Sequence, residues 1–278
     1  MLDYKPNIVL ATGEYKVVGT RPIRHDGADK VTGQAKYGAD IILPGLLHGK
    51  ILRSPHAHAR IKSIDTSKAE AAPGVHAVVT SADWEQPTGK VEDLAEGSIH
   101  NLRFLSNNIL AYGKVLYKGH AVAAVAAANP HQAEEALALI DVDYEVLTPV
   151  NNFREAMKEG APLLHERLET LSDPGLRAGG YKSDEDTAMG SNVANHFEFR
   201  VGDVEKGFQE ADVIVEKETN TAAVHQGYIE PHTGTAMWQP DGSLTVWSST
   251  QGHFNARDLL SRLLNLPVSR IRVIPMEI

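Results

Sequence analysis

The apolar run Ala121–Ala128 constrains the fold more than any other segment of this chain. Eight consecutive apolar residues are typical of a β-strand that is covered on both faces, and they are far too few to span a bilayer. Asn129 as N-cap and Pro130 at the first helical position then predict a helix over His131–Ile140. Alternation of apolar and polar residues over Ile140–Glu145 predicts a second strand, so the three elements resemble a βαβ crossover.

Short strands separated by turns flank this unit and predict an α+β fold. Leu47–Arg53 and Ala59–Asp65 alternate apolar with polar residues, as half-buried strands do. Ser67–Ala72 predicts a short helix that Pro73-Gly74 ends, and Val75–Thr80 predicts another strand. Together with the central unit, these elements indicate an α+β domain of roughly 130 residues.

The pattern changes in the last third of the chain, beyond a boundary that we place near residues 170–195. The elements predicted there are a capped helix at Asp203–Ala211, a strand at Val213–Thr221, a hairpin with strands at Ala236–Gln239 and Leu244–Trp247, a helix at Phe254–Leu264 and a strand at Arg270–Ile278. The loop after such a last strand commonly meets a cofactor or substrate. Because the sequence stops before that loop, we expect the chain to supply one wall of a site in a larger catalytic unit.

Composition excludes several kinds of partner and chemistry. Lys and Arg total 27 against 36 Asp and Glu, and a net charge of −9 disfavours binding to nucleic acid. The chain has no cysteine, which excludes disulfides, thiol nucleophiles and cysteine-ligated iron–sulfur clusters within it. Neither a signal peptide nor a membrane span is evident, so we expect a cytoplasmic location.

Gln251 is the foremost candidate for a functional residue. It lies in Ser248–Gly252, where a predicted strand gives way to a helix that begins near Phe254. A carboxamide offers two donors and an acceptor, and at a helix N-terminus these groups suit an oxo or phosphate ligand. The alternative is a helix cap, which is the commonest role of polar residues just before a helix.

Gln226 and Glu230 form a second polar cluster, flanked by His225 and His232. Two histidines with a glutamate between them invite a metal site, but their spacing differs from that of the His-Glu-x-x-His helix motif. A glutamate before a proline commonly accepts hydrogen bonds from backbone amides instead. The metal site is therefore retained as the less favoured alternative.

Two further histidine-containing segments have structural interpretations. His56 and His58 could ligate a metal from one strand face, but no third ligand is near in sequence, and packing or turn capping is favoured. Tyr117–His120 has the composition of a turn into the central strand, and one glycine with one lysine falls short of a phosphate loop. The sequence also lacks the motifs of serine hydrolases, dinucleotide-binding domains and calcium loops.

Arg21, Arg24, Asp26 and Lys30 form a dense charged set near the start of the chain. The cations in this set could bind an anionic ligand. Because the signs alternate along the sequence, we favour a structural network of ion pairs that holds the N-terminal arm.

Several blocks of the sequence, taken in order, resemble the large, molybdenum-binding subunit of the xanthine dehydrogenase and aldehyde oxidase family. The resemblance extends over nearly the whole chain, and the order, spacing and identity of the blocks carry it together. The blocks are Val18–Asp40, Pro44–Ile61, Pro73–Val75, Val142–Glu145 and Ser249–Gln251.

The resemblance implies a hammerhead-type α/β domain followed by the first part of a mixed α/β molybdopterin-binding domain. The implied boundaries are an N-terminal arm at 1–19, the hammerhead domain at 20–165, a linker at 166–190 and a truncated molybdopterin-binding domain at 191–278. In this family the Ser-Thr-Gln segment brings its glutamine beside the molybdenum centre, which implies that Gln251 contacts both cofactor and metal. The family's glycine-rich loop and catalytic glutamate come later, so no catalytic residue is implied within this chain.

The implied reaction is the hydroxylation of an aldehyde or N-heteroaromatic substrate at a molybdopterin centre. The cytosine dinucleotide form of molybdopterin is one option for this cofactor. Electrons then pass to iron–sulfur clusters. The implied partners are the rest of the molybdopterin-binding portion, an iron–sulfur subunit and an FAD subunit, which carry the clusters and the flavin. Related members oxidise carbon monoxide or reduce a CoA thioester, and a glutamine beside the metal does not separate these reactions.

Two other functions stay open on the sequence. The chain could be a non-catalytic assembly module of such a complex, which predicts that no molybdenum purifies with it. It could instead be a small metal-dependent enzyme using His225, Glu230 and His232, which predicts stoichiometric zinc or manganese. In the favoured interpretation, the chain alone neither holds the cofactor tightly nor turns over.

Overall fold

The computed structural model describes residues 16–17, 20–86, 91–94, 98–166, 171–173, 192–193, 195–197, 200–230 and 232–278. The predicted arm at 1–19 and the predicted linker at 166–190 lie almost wholly outside these residues.

Helices and strands mix along the whole described chain, in agreement with the predicted α+β class. The strands are β1 (His48–Arg53), β2 (Ala59–Asp65), β3 (Val75–Thr80), β4 (Val91–Leu94), β5 (Ser98–Asn101), β6 (Lys114–Val115), β7 (Ala121–Ala127), β8 (Asp141–Val146), β9 (Leu171–Asp173), β10 (Asn195–Phe197), β11 (Gly234–Trp238), β12 (Leu244–Ser248) and β13 (Ile271–Pro275). The α-helices are α1 (Gly27–Thr32), α2 (Ser67–Glu70), α3 (Leu102–Ile109), α4 (Pro130–Leu137), α5 (Phe153–Ala156), α6 (Val204–Glu210) and α7 (His253–Leu263). Within the described part, no helix has the length and apolar character needed to cross a membrane.

The apolar run forms β7, the central strand of an antiparallel sheet ordered β1-β7-β3. On one face of β7, Val125 and Ala127 pack with buried alanines of α2 and α4. On the other face, Val122 belongs to a second core with Ala59 and Val115. The prediction of a strand covered on both faces is therefore confirmed, and small alanine side chains let α4 lie close to the sheet.

The helix start after β7 is also confirmed. Asn129 caps α4, with its Oδ1 accepting a hydrogen bond from the Gln132 backbone N–H at 2.9 Å, and Pro130 occupies the first helical position. The predicted elements on either side form as β1, β2, α2 and β3, and α4 ends at Leu137, three residues earlier than predicted.

The predicted βαβ crossover is wrong. β8 does not join the sheet of β7; it pairs antiparallel with β2 in a second sheet, ordered β6-β2-β8. Val142 and Tyr144 of β8 pack against the second core, to which Val122 of β7 also belongs. β8 therefore packs against one face of the β1-β7-β3 sheet and is not one of its strands. The alternation in the sequence identifies the strand correctly, but it carries no information about which neighbour completes the hydrogen bonds.

A true βαβ unit forms at the other end of the chain. β11 and β12 make the predicted hairpin, whose turn contains Gly242 with φ +80°. β12 then pairs in parallel with β13, and α7 connects the two strands. The predicted helix and last strand are thus confirmed, and the carboxyl ends of β12 and β13 meet at one edge of the sheet.

The strand predicted at Val213–Thr221 does not form. The segment is irregular and exposed, with Val213 and Val215 exposed to 78% and 82%. A strand needs a neighbour for its backbone N–H and C=O groups, and no described strand pairs with this segment. The helix predicted before it forms as α6, capped by Asp203.

Three members of the charged set form a network that joins the start of the described chain to the residues after β13. Asp26 pairs with Arg24 and, at 2.9 Å, with Lys30. The Lys30 ammonium also lies 3.2 Å from the Glu277 carboxylate and 2.8 Å from the Ile278 carbonyl oxygen. The Arg24 guanidinium holds the pKa of Asp26 well below its usual range. The predicted ion-pair network is therefore confirmed for these three residues, whereas the arm at 1–19 that it was expected to hold lies almost wholly outside the described residues.

Replacing Lys30 with methionine is expected to loosen residues 24–40 from β13, because both contacts of the ammonium with the β13 end disappear. Amide hydrogen exchange in 24–40 should become up to about fivefold faster. Lys158→Met is the matched control, because Lys158 pairs locally with Glu155 at 2.7 Å. Unchanged exchange in 24–40 for Lys30→Met would show that the network does not hold this segment.

Candidate functional site

Gln251 lies in the loop that joins the carboxyl end of β12 to the start of α7, and its side chain is exposed. The N-cap position of α7 is Gly252, not Gln251. The acceptor for the Gly252 N–H is the Thr250 hydroxyl oxygen, at 3.2 Å. The carboxamide of Gln251 is therefore not used as a helix cap, and the residue is exposed.

The strand register brings distant parts of the sequence to this loop. In the β11–β12 hairpin Gly234 pairs with Ser248, so the residues just before β11 run beside those just after β12. In the parallel pair Ser248 lies level with Pro275, and the Met276 N–H donates to the Ser248 carbonyl oxygen at 3.0 Å. Three chain segments consequently converge at the carboxyl-end edge of β12 and β13.

An open cleft occupies the place where these segments converge. Its volume of about 210 Å³ is below the about 300–1,000 Å³ typical of a small-molecule site. Glu230 and Gln251, which are separate candidates in the sequence, both line this cleft. The lining residues are Tyr228, Glu230, His232, Ser249, Thr250, Gln251 and Ile278.

The Glu230 carboxylate has an unusual environment within the cleft. Its Oε1 is buried and has no hydrogen-bond partner among the described residues. A buried acceptor without a donor costs free energy, about 1–3 kcal/mol for a typical polar group. Oε1 therefore accepts no hydrogen bond from a described backbone amide, which was one interpretation of the sequence. This oxygen can accept a hydrogen bond from another group.

Aromatic packing positions the segment that carries Glu230. The Tyr228 ring lies 5.0 Å from the rings of both His225 and His232. Gly227, with φ +71°, allows its N–H to donate to His225 Nδ1 at 3.0 Å. Both histidines thus serve to pack and orient this turn.

The metal site suggested for His225, Glu230 and His232 is not found. Among the described residues, no group of three His, Asp or Glu side chains has the arrangement needed to hold a metal ion. The physical reason is the packing of Tyr228 against both imidazoles, together with the hydrogen bond that occupies His225 Nδ1. Gln226 is exposed and does not line the cleft.

His56 and His58 likewise have structural surroundings. His58 is buried, and its Nδ1 lies 2.7 Å from the Thr148 carbonyl oxygen. His56 packs its ring edge against Tyr144, with the centroids 5.1 Å apart. These contacts agree with packing and turn capping, the favoured interpretation.

Comparisons with known proteins match both halves of the chain. Residues 32–148 match the family model described as aldehyde oxidase and xanthine dehydrogenase, a/b hammerhead domain. Residues 186–278 match the model described as molybdopterin cofactor-binding domain. The second match includes every residue that lines the cleft.

Individual relatives extend the comparison to nearly the whole chain. A probable xanthine dehydrogenase subunit of Bacillus subtilis is 33% identical over 91% of this chain and 29% of its own length. The nicotinate dehydrogenase large molybdopterin subunit of Eubacterium barkeri is 32% identical over 94% of this chain and 54% of its own length. The crystal structure of a Cu,Mo-CO dehydrogenase superposes with a TM-score of 0.72 at 33% identity, covering 94% of this chain and 31% of that one. The chain therefore spans between about a third and a half of the length of these proteins.

Proposed function

Because the chain belongs to the aldehyde oxidase and xanthine dehydrogenase family, we propose that it forms part of the large, molybdopterin-binding subunit of a molybdenum hydroxylase. The assembled enzyme oxidises an aldehyde or an N-heteroaromatic ring by hydroxylation at a carbon atom. Electrons leave through iron–sulfur clusters on a partner. The chain supplies one wall of the cofactor pocket and requires further protein mass for turnover.

The position of Gln251 is the observation that carries this proposal. Its exposed carboxamide lies at the carboxyl-end edge of two parallel strands, where ligands bind in open α/β sheets. The cleft around it lies wholly within the part of the chain matched by the molybdopterin cofactor-binding model. We assign to Gln251 the contact with both cofactor and metal centre.

The residues of the cleft suit a polar cofactor of this kind. Gln251, Tyr228 and His232 offer hydrogen-bond donors. The hydroxyl oxygens of Ser249 and Thr250 offer acceptors. The cleft thus provides both kinds of hydrogen-bonding group that a pterin with its phosphate requires. The bound cofactor supplies the redox chemistry, while these side chains bind and orient it.

The domain organisation that accompanies this function has four parts. They are an arm at 1–19, the hammerhead domain at 20–165, a linker at 166–190 and the opening of the molybdopterin-binding domain at 191–278. The ranges of the two matching family models, 32–148 and 186–278, support this division. The proposed partners are the rest of the molybdopterin-binding portion, an iron–sulfur subunit and an FAD subunit, in the cytoplasm, with a cytosine dinucleotide form of the cofactor as one option.

Metal analysis of the natively purified complex tests the function. We expect about one molybdenum atom for each copy of this chain, together with iron from the partner clusters. Stoichiometric zinc or manganese without molybdenum would favour a metal-dependent enzyme instead. A complex that forms without any of these metals would favour the non-catalytic assembly module.

A further inference from the structure

Glu230 and Gln251 carry complementary hydrogen-bonding groups in the same cleft. The Glu230 Oε1 is buried and lacks a donor among the described residues. Gln251 is exposed just after β12, at the same end of the β11–β12 hairpin that Glu230 precedes, and both residues line the cleft. Of the residues that line it, Gln251 alone carries two N–H donors.

The two ends of a carboxamide have nearly the same shape but opposite hydrogen-bonding character. A glutamine beside a metal centre can therefore present either its N–H group or its carbonyl oxygen. An ionised carboxylate only accepts hydrogen bonds, so a neighbouring glutamate selects the orientation in which the amide nitrogen points toward it. The second N–H on that nitrogen then keeps a defined direction.

We propose that Glu230 is a positioning residue, whose carboxylate accepts one N–H of the Gln251 carboxamide and thereby directs the other N–H to the cofactor. This inference rests on the proposed function of Gln251. A hydrogen bond of this kind gives the buried Glu230 oxygen a donor. It also prevents the Gln251 carboxamide from flipping so that its oxygen and nitrogen exchange places. Partners that orient a metal-contacting group in this way commonly change activity when they are lost.

Ring packing and one hydrogen bond shape the segment that carries Glu230. The rings of His225, Tyr228 and His232 pack in sequence, and the Gly227 N–H bonds to His225 Nδ1. His232 and Tyr228 also line the cleft, but each carries a single side-chain donor at most when neutral. Neither can bridge an acceptor and the cofactor through one nitrogen, as the Gln251 amide can.

Glu230→Gln in the natively purified complex tests the proposal, because it keeps the shape of the side chain and removes its charge. We expect molybdenum content to stay at the wild-type value, kcat to fall roughly 10–100-fold with little change in KM, and the Mo(V) electron paramagnetic resonance spectrum to shift. Glu216→Gln is the matched control, since Glu216 is exposed in the same part of the chain. It should behave as wild type in all three measurements.

A double-mutant cycle separates failure of this inference from failure of the proposed function. Once Gln251 is alanine, Glu230→Gln should cause no further change in kcat or in the spectrum. An equal loss in both backgrounds, or a wild-type spectrum and kcat for Glu230→Gln alone, would overturn the positioning role. If Gln251→Ala itself leaves both unchanged, the proposed function of Gln251 fails instead.

A crystal structure of the complex gives a direct geometric test. The Glu230 Oε1 should lie within about 3.2 Å of the Gln251 amide nitrogen. A Glu230 carboxylate paired with a backbone amide or a cation of the remaining protein would overturn the inference.

Discussion

Replacing Gln251 with alanine in the assembled complex is expected to lower kcat/KM by about 10²–10³-fold. In the role proposed for Gln251, its carboxamide is a fixed donor at the metal centre, and such a donor needs no reorganisation during the reaction, so its removal should raise the barrier. The loop between β12 and α7 holds this donor at the edge of a parallel strand pair. Steady-state kinetics with the natural substrate class measure the effect.

The control for this experiment is another glutamine of the same chain. Gln226 is exposed and does not line the cleft, so Gln226→Ala should keep wild-type kinetics. Both variants should retain wild-type molybdenum, because in the proposed function Gln251 is one of several groups that hold the cofactor. Wild-type kcat/KM for Gln251→Ala would remove the assigned role.

The local elements of this protein are largely predictable from its sequence. The apolar run and the Asn129-Pro130 helix start predict β7 and α4, because a continuous apolar pattern and a helix cap depend only on residues adjacent in sequence. The pattern of neighbouring residues does not specify which strand pairs with which. β8 and Val213–Thr221 show a similar alternation of apolar and polar residues, but β8 pairs with β2, whereas Val213–Thr221 pairs with no described strand.

The cleft shows the same division between local and long-range information. Gln251 is predictable as a candidate from its place between a strand and a helix. Its place in one cleft with Glu230, twenty-one positions earlier, depends on the register of the β11–β12 hairpin. The Pro240–Gly242 turn signal predicts that hairpin, but no signal in the sequence predicts a buried Glu230 oxygen that has no donor among the described residues.

His120→Ala is expected to destabilise the hammerhead half by about 3 kcal/mol. The His120 ring is fully buried and stacks on Tyr117 at 4.5 Å. Its Nδ1 accepts the Leu116 N–H at 3.2 Å, so Nε2 carries the proton and donates to the Asn107 carbonyl oxygen at 2.9 Å. Alanine would leave a cavity and two backbone groups without partners, beside the start of β7.

Native-state hydrogen exchange of the β7 amides measures this loss, because it reports local opening without assuming two-state unfolding. His131→Ala is the matched control, since His131 is exposed on α4, and its effect should stay within about 0.5 kcal/mol. Wild-type protection of β7 in His120→Ala would mean that the buried ring contributes little to this core.

The same residue gives the hammerhead half a defined dependence on pH. Burial lowers the pKa of His120 below its usual 6.5, so the folded protein favours the neutral ring. The unfolded chain therefore binds the proton first, and the free energy of β7 opening should decrease as pH falls below about 6.5. Burial and the nearby Lys114 lower the pKa of His165 in the same direction, so His120→Ala should reduce this pH dependence without abolishing it. An unchanged slope between about pH 6.5 and 5 in His120→Ala would assign the effect to His165 alone.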